Sequence, residues 1–260
     1  MAIETGFSEQ GFRIVDVTPE NIKEHPQAIC FINPKQESYP IKVGWLKERC
    51  GEGLKIKLLY LGNDKRPCGF IEYVPGEFAW RSVNAEGYLF IHCIWTYGKK
   101  NQHKGIGSKL IDEVVSEANL KGKSGVAAVS SDDSFMAGRE IFLKNGFKIV
   151  EESGKYQLMV KQLKDNSLPS FNDFEKELKK YKGLNIIYSN QCPWVARFIK
   201  ELDSEIVDKY KIKLKELKTA KDAQGAPSIY SVFSLVYDGK ILADHYISNT
   251  RFKNILKKIK

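Results

Sequence analysis

Apolar and polar residues alternate along Phe12-Arg-Ile-Val-Asp-Val17, and apolar-rich runs follow over 54–61 and, after the turn Gly62-Asn-Asp-Lys-Arg-Pro67, over 68–74. A period of two marks a half-buried strand, so a first strand and then an antiparallel pair are expected. A helix is expected over 42–49; the stretch 21–31 has helical spacing but is broken at Pro26, and 78–83 supplies a short piece. Residues 88–96 are almost continuously apolar, as in a strand buried on both faces. The period then changes. Leu110, Ile111, Val114, Val115 and Ala118 form one stripe of a helix over 108–120, which Gly122 ends. A buried strand over 125–130, a helix over 134–144 stopped by Asn145-Gly146, and strands at 147–150 and 156–161 complete this half.

Lys164-Asp-Asn-Ser-Leu-Pro169 is polar and closes on a proline, as a linker does. A chain of 260 residues exceeds the common size of one domain, and the division expected is 1–165 and 166–260. The second part reads as helix 169–181, strand 184–188, a helix from 193 to about 210, strand 213–217, a helical turn at 219–224, a hairpin (232–237 and 240–247) around Asp238-Gly239, and a closing helix 250–260.

The strand-loop-helix from Tyr88 to Leu120 is where chemistry first shows. Gly105 and Gly107 open the helix, whose first N–H groups lack intrahelical acceptors and sit at the positive end of its dipole. Such a start suits a phosphate, glycine lets the backbone come close, and Lys99, Lys100, His103 and Lys104 add charge.

Composition narrows the classes. The apolar content of 42% supports packed cores, no apolar run reaches the length of a membrane span, and the N-terminus lacks signal-peptide character, so a cytoplasmic protein is expected. Five cysteines without Cys-x-x-Cys or zinc spacing read as reduced thiols, with no metal. Of the net charge of +9, +7 falls in 166–260 (18 Lys+Arg against 11 Asp+Glu). These lysines are spread as solvated faces, so no nucleic-acid partner is expected.

Gln102-His103-Lys104-Gly105-Ile106-Gly107, following an apolar strand, resembles the Gln/Arg-x-x-Gly-x-Gly/Ala pyrophosphate loop of the GNAT N-acetyltransferases, and Phe142-Leu-Lys-Asn-Gly-Phe147 is similar to that family's late Tyr-x-Lys-x-Gly-Phe segment. The resemblance implies an α/β (α+β) fold with a mixed central sheet flanked by helices. It also implies acetyl-CoA as cosubstrate and transfer of an acetyl group to a primary amine of a small molecule or protein by direct attack in a ternary complex. Backbone groups of Ile94, Trp95 and Thr96 would pair with the pantetheine arm, and the N–H groups of Gln102 to Gly107 would take the pyrophosphate. His92 and Glu72, on adjacent strands, are alternative bases, with Glu86 a third, less favoured candidate; alternation puts His92 and Cys93 on opposite faces, so only one easily faces the cleft. Cys93 is a candidate nucleophile. Where the family often has a tyrosine acid the chain has Phe142, which cannot donate a proton. That departure leaves open a non-catalytic acyl-CoA-binding sensor.

Strand-helix-strand, hairpin and helix in the second part resemble a thioredoxin-like core, and Cys192-Pro193-Trp194 resembles the glutaredoxin Cys-Pro-Tyr/Trp-Cys site with Val195 in place of the second cysteine. Pro227 stands where that fold keeps a cis-proline against the active cysteine. Cys192 at a helix start is a candidate reactive thiol, which admits a redox protein as a further alternative. The pairing of a GNAT domain with this tail is similar to the bacterial YoaP-type acetyltransferases. The tail's job is open between recruiting a substrate, closing the cleft and mediating a homodimer.

Overall fold

A computed structural model describes residues 4–5, 11–26, 30, 32–98, 101, 104–133 and 136–259. The chain forms two compact units: one of residues 1–31, 46–79 and 84–170, the other of residues 32–45, 80–83 and 171–260.

The first unit is built on an eight-stranded mixed sheet. Its strands are β1 (Glu4–Thr5), β2 (Phe12–Val17), β3 (Lys55–Leu61), β4 (Gly69–Pro75), β6 (Tyr88–Thr96), β7 (Gly125–Ser131), β8 (Lys148–Ser153) and β9 (Tyr156–Gln162), in the order β1-β2-β3-β4-β6-β7-β9-β8. Of these neighbours, β6 and β7 run parallel while the other pairs are antiparallel. A parallel pair needs a crossover between its strands. That crossover is α2 (Ile106–Leu120), whose stripe of Ile106, Leu110, Ile111, Val114 and Ala118 is buried with Ile71, Leu89, Ile91, Ile94, Val126 and Ala128 in one core. A 3₁₀ turn (Gly76–Phe78) and the two-residue strand β5 (Val83–Asn84) lie between β4 and β6, and β10 (Ser170–Phe171) follows β9.

Several elements differ from the sequence reading. Helix α1 runs over Ser38–Cys50, a full turn earlier than expected, because Pro40 lies within its first turn, where no intrahelical N–H is needed. Helix α3 is only Arg139–Lys144, starting after Gly138 in extended backbone; Ser134, where the expected helix began, is outside the described residues. Asn21–Glu24 forms turns in place of a helix.

The second unit carries a four-stranded sheet, β12 (Lys213–Glu216), β11 (Leu184–Tyr188), β13 (Phe233–Tyr237) and β14 (Lys240–Ala243) in that order, with β11 parallel to β12 and antiparallel to β13. Its helices are α4 (Phe174–Leu178), α5 (Pro193–Lys200), α6 (Ser204–Lys209), α7 (Ala220–Gln224) and α8 (Asn249–Leu256). The single helix expected over 193–210 is two, since Asp203 caps a new start by accepting from Glu205 N at 3.0 Å. In the same way Asp173, accepting from Lys176 N, confines α4 to five residues. Among the described residues no helix is long and apolar enough to cross a membrane.

Candidate active site

The first unit brings the sequence-predicted residues to one end of β6. The parallel pairing of β6 with β7 covers Tyr88–Gly125 to Ile91–Ala128. Beyond this, β6 continues to Thr96 and β7 to Ser131 without pairing to each other. On that side the backbone groups of residues 92–96 are not taken by β7, and backbone polar groups in such a place require another partner. Ile94 turns its side chain into the α2 core, Trp95 is 50% exposed and Thr96 is half-buried.

On the other side β6 pairs with β4, and here the register slips: Glu72 opposes Cys93 while Tyr73 opposes Ile91. His92 is thus the extra residue of a bulge. The α2-side core takes Leu89 and Ile91 but next Ile94, so two residues lie between the last pair where alternation allows one. This corrects the expectation that His92 and Cys93 point to opposite faces by simple alternation. The two expected alternative bases are brought together. His92 Nδ1 lies 3.3 Å from Glu72 Oε1, with the side chains 0% and 2% exposed, and the His92 ring meets Phe90 edge-on at 5.8 Å between centroids. Cys93 is a half-buried free thiol, and Glu86 is an exposed surface carboxylate.

The glycine loop is built as its residues demand. Gly105 is the N-cap of α2 with φ 75°, left-handed backbone that costs glycine little, and helix α2 begins directly after it at Ile106. A Cβ on Gly107 would lie 2.9 Å from Ile141 Cδ1, so this glycine is held by packing against α3. Lys104 is exposed and Ile106 is buried. Gln102 and His103, with Lys99 and Lys100, lie outside the described residues.

Other residues that shape the site were not singled out by sequence. Asn101 is buried and closes the loop, its Nδ2 donating to Tyr97 O at 2.7 Å and its N–H to Gly98 O at 2.9 Å. Gly69 lets α2 approach β4: a Cβ there would stand 2.8 Å from Ile106 Cγ2 and 3.1 Å from Trp95 O. Asn145, in the late segment, donates through Nδ2 to Ser108 Oγ at 3.1 Å and to Ile141 O at 2.6 Å, fastening the α3 end to the start of α2. An Asn-Gly after a helix signals its stop, but not this partner.

Phe142 is fully buried, edge-on to Phe147 at 5.4 Å, so it is a core side chain. Tyr97, one residue past β6, is half-buried, and burial, then the thiols of Cys30 and Cys93, push its pKa up, keeping the phenol protonated.

In the second unit Cys192 is the N-cap of α5 and half-buried, with Pro193 at the first helical position; Trp194 and Tyr246 stand 6.5 Å apart. Val195 is fully buried. The cis-proline expectation is overturned. No described peptide bond is cis, and Pro227 does not lead directly into a strand. Residues 228–231 turn first, held by Ser228 Oγ to Ser234 Oγ at 2.7 Å and Ser231 N–H to Ser228 Oγ at 3.3 Å, before β13 begins at Phe233.

Residues 211–254, from just before β12 into α8, match the family model described as YoaP-like. Over 253 residues the chain is 28% identical to an uncharacterized N-acetyltransferase, YoaP, of Bacillus subtilis (strain 168), covering 93% of this chain and 97% of that protein. Among solved structures, a GNAT-family acetyltransferase of Staphylococcus aureus Mu50 is 15% identical, covering 59% of this chain and 99% of its own, with a TM-score of 0.44. The PaiA N-acetyltransferase of Thermoplasma acidophilum in complex with coenzyme A is 17% identical, covering 58% and 98%, with a TM-score of 0.41.

Proposed function

We propose that this protein is a GNAT-type, acetyl-CoA-dependent N-acetyltransferase acting on a primary amine by direct attack in a ternary complex. The observation that carries the reading is the divergence of the parallel pair β6–β7 immediately before a glycine-capped helix start. The gap offers backbone partners at Ile94, Trp95 and Thr96 to a pantetheine arm, and the loop through Gln102, His103, Lys104, Gly105, Ile106 and Gly107 offers N–H groups to a pyrophosphate. The similarity to an N-acetyltransferase over nearly the whole chain supports the same reading.

In this reading His92, oriented by Glu72, takes a proton from the acceptor ammonium. The neutral nitrogen attacks the thioester carbonyl carbon, and the oxyanion is held by a backbone N–H of the β6 edge. The C–S bond then breaks, and the coenzyme A thiolate leaves and takes up the proton that the now cationic attacking nitrogen sheds, relayed by Tyr97 or solvent; a thiolate is a weak enough base to depart without a dedicated acid. Cys93 as an acetylated nucleophile is the competing route. In the same reading the sequence divides into 1–165 and 166–260, the second part a thioredoxin-like YoaP-type domain whose compact unit also takes in residues 32–45 and 80–83. Five cysteines with no disulfide among the described residues fit a reducing, cytoplasmic setting.

Calorimetry with acetyl-CoA tests the donor site. Binding by the intact chain, abolished by Gly105→Glu and Gly107→Glu, is expected; absence of binding refutes the proposal. Thiol release with an amine panel tests turnover, and binding without turnover for any amine favours the sensor. An enzyme-bound acetyl group on Cys93, seen by mass spectrometry, would replace direct attack with a two-step route.

A further inference from the structure

Strand β12 lies at the edge of the second unit's sheet, paired with β11 alone among the described strands. Leu217, just past its end, donates its N–H to Tyr188 O of β11 at 2.7 Å. Successive residues of a strand turn their backbone groups to alternate sides, so Lys213 and Lys215 also address β11, and the N–H and C=O of Leu214 and Glu216 face outward. Lys213, Leu214 and Lys215 are exposed, Leu214 at 46%. Lys209 and Lys211, just upstream, are exposed as well, which puts four lysines and no acid in residues 209–215. Their contacts are with uncharged groups. Lys215 Nζ lies 3.2 Å from the Tyr181 hydroxyl and 5.5 Å from that ring's centroid, Lys213 Nζ donates to Lys182 O at 3.5 Å, and Lys209 Nζ stands 5.6 Å from the centroid of the Tyr210 ring. Of the carboxylates that follow, Glu216 accepts from Asn190 Nδ2 at 2.7 Å and Asp222 is taken up in the capping box of α7.

Lysines on an exposed edge keep like edges apart, which bars a second copy of β12 from pairing here. The segment they admit is an extended one of opposite charge. Residues directly opposite each other in a sheet share a face, and Lys213 and Lys215 stand on one face of β12 with Leu214 on the other. We propose that the outer edge of β12 is a docking site for an acidic, extended segment of a partner protein. That segment adds a fifth strand to the four-stranded sheet, bonding the outward backbone groups of Leu214 and Glu216. Its carboxylates lie against Lys213 and Lys215, and an apolar side chain between them lies against Leu214. The site falls wholly within the second unit, and neither it nor its test involves acetyl transfer.

The full chain is titrated into a fluorescein-labelled peptide, Gly-Glu-Val-Glu-Val-Glu-Gly amide, and binding is read by fluorescence anisotropy. Saturable binding with a Kd of about 10–100 µM is expected in dilute salt. It should weaken at least about fivefold in the double variant Lys213→Gln, Lys215→Gln, and by a similar factor when NaCl is raised to about 0.3 M. Leu214→Pro keeps every lysine but removes an outward N–H, a change that an edge strand tolerates, and it should abolish binding. The same peptide N-methylated at every Glu and Val keeps its charge, has no N–H to donate along that run, and should not bind. Should Leu214→Pro fail to fold, the N-methylated peptide decides alone. The proposal is overturned if the wild type shows no saturable binding of the first peptide. It is overturned equally if the N-methylated peptide or Leu214→Pro binds as well as the parent, since charge would then act without strand pairing. Binding of a labelled tetrathymidylate as tight as that of the peptide also overturns it, because the edge would then be a general polyanion surface.

Discussion

Helix α2 carries the glycine loop at one end and is anchored near the other by Glu117, and the strength of that anchor can be worked out. The Glu117 carboxylate accepts from the Tyr73 hydroxyl at 2.5 Å and pairs with Lys55 at 2.9 Å and Lys121 at 2.8 Å. Burial alone would raise its pKa, but hydrogen bonds from Lys121, Tyr73 and Lys55 outweigh that and lower it from 4.5 to about 2. Burial and the same carboxylate push the Tyr73 phenol up, so it remains the donor. Because the folded pKa is depressed, the contribution to stability is complete above about 4.5 and is lost as pH falls toward 2. At about 1.4 kcal/mol per pH unit the ceiling is about 3 kcal/mol. Lys55 and Lys121 are 40% and 45% exposed, and solvent screening of those two arms leaves about 1–2 kcal/mol. Tyr73→Phe removes the buried arm and is expected to cost about 1–1.5 kcal/mol at pH 7, with the gap to wild type narrowing between pH 4.5 and 2.5. Urea unfolding of both proteins at pH 7, 4 and 2.5 measures this. A gap below about 0.3 kcal/mol at pH 7, or one that does not change with pH, would refute the argument.

His92→Gln and Glu72→Gln should each lower kcat by about 10²–10⁴-fold while acetyl-CoA affinity by calorimetry moves less than about twofold; equal losses in binding would make the pair structural. Gly107→Ala places a methyl against Ile141 and should lower stability by about 1–2 kcal/mol together with acetyl-CoA affinity. Gly105→Ala has open space around its Cβ and should show only the left-handed backbone cost of about 1 kcal/mol; chemical denaturation compares the two. Cys192→Ser puts a preferred capping residue on an N-cap that has no side-chain cap hydrogen bond. It should raise stability by about 0.5–1 kcal/mol, and a drop in melting temperature would show that the sulfur itself is packed or bonded.

Phe12–Val17 and α2 were legible from their periods, and the buried strands from their apolar runs. Phe12–Val17, Lys55–Leu61 and Tyr88–Thr96 fall where their patterns put them. The misjudged helices turn on caps that the periodicity does not register. Asp203 restarts a helix inside what looked like a single run, and Pro40 hid a first turn. The donor side of the site depends on backbone, and glycines announce backbone. The pairing of Glu72 with His92 depends on a one-residue slip between strands separated by many residues, and neither segment carries a mark of it. Trp45 and Trp80 are both buried, whereas Phe78 is 40% exposed.

The bulge at His92 also sets how the site can change without harm to the fold. Upstream of it β6 obeys the α2 core, with Leu89 and Ile91 facing inward; downstream Ile94 rejoins that core one step out of phase. Positions 92 and 93 fall in the break, so a lineage could exchange the chemistry there without repacking α2 or moving the backbone edge at 94–96. Deleting one of those two residues would be a different event: plain alternation would then carry Ile91 and Ile94 on one face, and the bulge that brings His92 to Glu72 would be lost.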